Sequence, residues 1–145
     1  MRLDRSEVDQ VRGYITVSAQ KAKTARRRLI PIAHNLARWL RPYAGMSGLV
    51  WAKGGRVYHK AINRLRSDIG MAHWPQNALR HSFASYHLAK HCDASELMLY
   101  MGHTSTKLIF EAYRELVHPQ GAEVYWNIAP PASSEYCWAC DRQMN

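Results

Sequence analysis

The chain has 145 residues, 47% of them hydrophobic, and a formal charge of +9, which suits one domain with a buried core and excludes a disordered segment. No run approaches the roughly 18 apolar residues of a membrane span. Met1-Arg2-Leu3-Asp4-Arg5 opens no signal peptide, so a cytoplasmic protein with no membrane partner is expected. The excess of Lys and Arg favours a polyanionic partner, nucleic acid before membrane surface, although a merely basic soluble domain would carry the same charge.

In chain order, Tyr14 to Val17 alternates as a strand after Gly13, with Ile15 and Val17 on one face, and residues 28–32 read as its partner. Between them, residues 21–28 hold five cations: Lys21, Lys23, Arg26, Arg27 and Arg28. Leu36, Trp39 and Leu40 mark a helix stopped near Pro42, and residues 45–55 read as a glycine-rich loop. Val57, Ala61, Leu65 and Ile69 recur every fourth residue, with Gly70 placed to end that helix. Arg56, Lys60, Arg64 and Arg66 decorate it, either as a solvated face or as DNA contacts.

Pro75 precedes a helix carrying Leu79, Phe83 and Tyr86. Asp93 and Glu96 have capping-box spacing for a short helix that ends at Gly102. A last helix begins at Ser105 or Thr106 and carries Leu108, Ile109, Tyr113 and Leu116. Beyond Pro131 the chain reads as an appendage. Cys137 and Cys140 form a single Cys-Trp-Ala-Cys, without the second pair of a zinc site or the setting of a redox motif. His87 and His91 lie four apart but lack the Glu of a zinc-protease signature. No metal, other cofactor or small-molecule substrate is expected.

The chemistry concentrates in Leu79-Arg80-His81-Ser82-Phe83-Ala84-Ser85, Tyr100-Met101-Gly102-His103 and Phe110-Glu111-Ala112-Tyr113-Arg114. A guanidinium holds two phosphate oxygens through parallel hydrogen bonds, an imidazole donates to the same group, and a phenol attacks phosphorus once neighbouring cations ease its ionisation. Arg80 falls in the first turn of its helix, where unpaired N–H groups already favour anions. Asn77 suits an N-cap and can donate to phosphate, but is no general base at neutral pH. Gly102 permits the left-handed backbone that turns His103 sideways.

Over residues 3–128 these phrases resemble the catalytic domain of the tyrosine recombinases, the phage integrase family. The resemblance implies an α+β fold, mainly α-helical, with a small N-terminal β-hairpin or sheet. It implies DNA strand cleavage and rejoining in recombination or integration, without metal, through a 3′-phosphotyrosine intermediate. Tyr113 would be the nucleophile, Arg80 and His103 would hold the phosphate, and Lys23, eight residues before Pro31 in the hairpin, would be the general acid. Asn77 stands where the family usually has histidine. Lys21, Arg26, Arg27 and Arg28 would bind double-stranded DNA, on which the protein would act as an oligomer.

The family's upstream arginine has no counterpart here, because Arg5-Ser6-Glu7 sits too near the first strand. The expectation is a truncated catalytic domain over residues 1–128, an incomplete catalyst, with a tail over 129–145. Two alternatives stay open: a non-enzymatic DNA-binding remnant of an integrase, and an unrelated helical DNA-binding regulator.

Overall fold

The computed structural model describes residues 3–22, 26–113 and 117–131. Among the described residues, a three-stranded antiparallel sheet, ordered β1 (Val8–Asp9), β2 (Tyr14–Val17) and β3 (Arg28–Pro31), precedes six α-helices. They are α1 (His34–Leu40), α2 (Gly55–Asp68), α3 (Ala78–His91), α4 (Ala94–Met101), α5 (Lys107–Tyr113) and α6 (Pro119–Trp126). The fold is the expected α+β one, mainly helical with a small sheet.

Pairing of Tyr14 with Pro31 and of Val17 with Arg28 sets the register of the hairpin. Ile32 lies one residue beyond β3, yet its N–H still donates to Gly13 O at 2.8 Å. The short β1 follows a 3-10 turn capped reciprocally: Ser6 N–H donates to the Asp4 carboxylate, and Asp4 N–H to Glu7 Oε2. Arg5 donates to the carbonyls of Ser47 and Leu49. Its guanidinium therefore pins the loop before α2.

The core lies between α3, α4 and α5, where Ala84, Ala94, Leu97, Met101, Ile109 and Tyr113 form one cluster, with Phe83, Leu88 and Met98 packed against it. Leu97 and Ile109 are completely buried. On the far side of α3 lies α6, which the sequence reading had not separated as a helix. Pro119 occupies its first turn, where a missing N–H costs nothing. Tyr125 stacks on Tyr86 with ring centroids 4.1 Å apart, and Trp126 Nε1–H donates to Tyr86 O at 3.1 Å.

The residues after α6 reach α1, where Trp39 donates to Ile128 O. The periodicity of α2 does form a helix, stopped by Gly70 at φ +68°. None of its residues is buried, and Val57, Leu65 and Ile69 stay 43%, 48% and 57% exposed. No helix among the described residues is long and apolar enough to cross a membrane.

Candidate active site

The turn between α4 and α5 organises the cationic groups. Gly102 adopts the left-handed conformation (φ +69°), and His103 N–H donates back to Met98 O at 3.0 Å. This closing bond of a Schellman turn projects the residue after the glycine out of the helix line. From the first turn of α3, Arg80 reaches across and its Nη2 donates to Met101 O at 2.8 Å. The same nitrogen lies 2.7 Å from His103 Nε2. Since a guanidinium can only donate, Nε2 is the acceptor and the imidazole proton sits on Nδ1. That Nδ1 is buried and has no partner.

In this contact His103 accepts, a role that the neutral imidazole can fill. Burial, and then the charges of Arg80 and Arg28, hold its pKa below the ordinary imidazole range. Arg28 belongs to the same cluster: its guanidinium lies over Gly102, and a Cβ on that glycine would overlap Nη1. The strand alternation accounts for this, since Leu29 is exposed while Arg28 and Ile30 turn inward. The sequence reading grouped Arg28 with Arg26 and Arg27 for want of that period-two distinction; Arg26 and Arg27 are exposed.

The other named residues fall differently. Lys21 Nζ donates to Glu7 Oε2 at 2.6 Å, so its charge is matched within the N-terminal corner. Lys23 lies outside the described residues, as do Arg114, Leu116, Cys137 and Cys140. Asn77 precedes α3 as expected, but its backbone is left-handed (φ 58°, ψ 23°) and its side chain makes no capping bond. The capping explanation of this residue is therefore corrected. A side chain caps from extended backbone, and Asn77 is rotated away from it and exposed.

Tyr113 is only 5% exposed and belongs to the α3–α4–α5 core. Its ring lies beside His81, with centroids 5.2 Å apart. His81, which the sequence reading quoted but gave no role, is the titratable side chain in ring contact with the candidate nucleophile. The signal available was its place directly after Arg80 on the helix.

A second histidine cluster lies on the other side of α3. His87 packs among Phe83, His91, Tyr100 and Trp126, and its Nε2 is 3.5 Å from Glu96 Oε2. Burial and His91 lower its pKa, while Glu96 and Asp93 oppose the shift. The Tyr100 hydroxyl donates to Glu96, and burial together with that carboxylate pushes its pKa up to about 12. Glu96, expected to close a capping box, turns to these aromatic partners instead; only the Asp93 half of the box forms, with Glu96 N–H donating to Asp93 at 2.8 Å.

No curated protein and no solved structure matches the chain. The model of the phage integrase family matches residues 1–118, and the chain belongs to that family, whose general role is site-specific recombination with DNA as the partner.

Proposed function

We propose that the protein cleaves and rejoins DNA strands through Tyr113, with Arg80 and His103 holding the scissile phosphate and Lys23 protonating the departing 5′-oxygen. The observation that carries this reading is the 2.7 Å approach of Arg80 to His103. Two potential phosphate donors, one reaching over from α3, meet at one turn, and neither has a carboxylate partner among the described residues. In the free protein Arg80 donates to the imidazole. An entering phosphodiester takes over the guanidinium, and its charge favours protonation of His103, which then donates through Nε2. Attack forms the Tyr113 Oη–phosphorus bond as the phenolic proton is lost to solvent, and breaks the bond from phosphorus to the 5′-oxygen, which takes up the proton that Lys23 supplies.

Tyr113 must first leave the core. Exposing an aromatic side chain costs about 2–3 kcal/mol, which contacts between DNA and the basic surface can offset. Asn77 supplies no base where the family usually has histidine, so turnover by this chain is slow. The catalytic unit is residues 1–128, and Arg26 and Arg27 hold the DNA backbone.

Family membership removes the unrelated helical regulator from consideration. The DNA-binding remnant keeps specific support from the burial of Tyr113 and from Asn77. A nicked suicide substrate separates the two readings. A covalent protein–DNA band on a denaturing gel, slow to form and absent in Tyr113→Phe, is the expected result. Salt-sensitive duplex binding with no covalent band in either protein would establish the remnant.

A further inference from the structure

We propose that Arg28 is a second phosphate-binding guanidinium, set beside Arg80 by strand β3, and that Gly102 is glycine so that this guanidinium can lie across the turn. The proposal rests on the reading of Arg80 and His103 as a phosphate seat and extends it to a residue on a different element.

Three observations point the same way. The first is close approach: a Cβ at residue 102 would overlap Arg28 Nη1 and lie 2.8 Å from Cζ. Gly102 thus serves both its left-handed backbone and the passage of an arginine. The second is a missing partner: Arg28 Nε is buried with no hydrogen bond, and no side-chain hydrogen bond or ion pair engages Arg28 among the described residues. A buried donor left unpaired is costly and calls for a partner such as a water, an ion or a ligand oxygen. The third is like charge: burial and then the neighbouring Arg80 lower the pKa of Arg28, and both guanidiniums help to depress His103.

A purely structural role is the competing account, since cations stabilise a helix C-terminus and both guanidiniums lie at the end of α4. It explains Arg80, which donates to Met101 O. Arg28 makes no such bond. Two convergent guanidiniums beside an imidazole fit the several oxygens of a phosphodiester, one fork to each side, and a bound dianion or diester would relieve the repulsion among them.

The test is a titration of the full chain with inorganic phosphate, followed through the ring resonances of His103 by NMR. The wild-type signal should shift saturably, and Arg28→Gln should weaken the phosphate affinity on the order of tenfold, the loss expected for one charge-assisted contact. Arg12→Gln, at an exposed arginine paired with Asp9 in the N-terminal corner, should leave it unchanged. A second measurement needs no variant: phosphate should slow modification of Arg28 by phenylglyoxal, mapped by peptide mass, relative to the exposed Arg12.

Unchanged affinity in Arg28→Gln, with binding lost in Arg80→Gln, would overturn the role of Arg28 and leave the Arg80–His103 seat standing. An unprotected Arg28 in wild type would overturn it likewise, even if the glutamine variant does not fold. A wild-type His103 signal indifferent to phosphate would sink both the seat and its extension.

Discussion

His103 and His87 are two histidines of one helical bundle whose pKa values are lowered in the same direction in opposite surroundings. Burial is the leading cause in both, and both have a buried Nδ1 without a partner. His87 is enclosed by rings and has its carboxylate, Glu96, 3.5 Å away. The charges that act on His103 are cations alone, Arg80 and Arg28. A depressed imidazole pKa therefore does not by itself mark a site; the sign of the surrounding charge does. The His87 cluster is internally compensated and holds α3 to α4 and α6, whereas the His103 cluster carries uncompensated positive charge that an anion can complete.

The largest expected break in this contrast is in cleavage. Arg80→Gln removes a preorganised donor and should slow covalent trapping on a suicide substrate by about 10²–10³-fold, on the scale of a lost oxyanion contact. His87→Gln should leave the trapping rate near that of the parent and lower the melting temperature instead. Equal losses of trapping in the two variants would show that the clusters do not divide chemistry from packing.

The core between the two clusters should respond next. Leu97 is fully buried, so Leu97→Ala should cost about 2–5 kcal/mol in denaturant unfolding. A much smaller loss would mean that α4 is not anchored where both histidines depend on it.

The pH dependence sharpens the contrast further. Each histidine has a folded pKa below its unfolded value of about 6.5. Between the two values the unfolded chain binds more protons, so stability rises with pH there. The contribution is complete above about pH 6.5 and is lost as pH falls through the folded pKa. Melting temperature should therefore drop on acidification below about 6.5. Phosphate should reduce the part due to His103, by favouring its protonated form, and leave the part due to His87. An acid limb indifferent to phosphate would place the whole effect on the His87 side.

The smallest effect is expected on α2. Leu65 is 48% exposed, so Leu65→Ala should change stability by no more than about 0.5 kcal/mol. A loss as large as that at Leu97 would mean that the α2 face is covered in solution.

Local rules were legible in the sequence where one residue type decides the backbone. Tyr14–Val17 alternates and forms β2, while Gly70 and Gly102 end their helices in the left-handed conformation. Arg80 falls in the first turn of α3, and the Asp93 side chain caps α4. The order Arg80, Gly102-His103, Tyr113 carried the family resemblance because those residue types have a chemical reason to recur together. Residue identity and spacing act within a turn or two of chain, so they need no knowledge of the rest.

What lies across elements was decided only by the fold. Two amphipathic 14-residue helices met different fates, α3 buried at the centre and α2 exposed along its length, because periodicity supplies an apolar face and not its cover. Asn77 had the composition of a cap but received a left-handed backbone that forbids it. Tyr113 is packed in the core rather than presented at the surface. Arg28 looked like one of three equivalent arginines until the register of β3 turned it inward onto a glycine 74 positions along the chain, beside Arg80 and His103. Such convergence is set by packing between a strand and two helices, and no local pattern encodes the distance that packing closes.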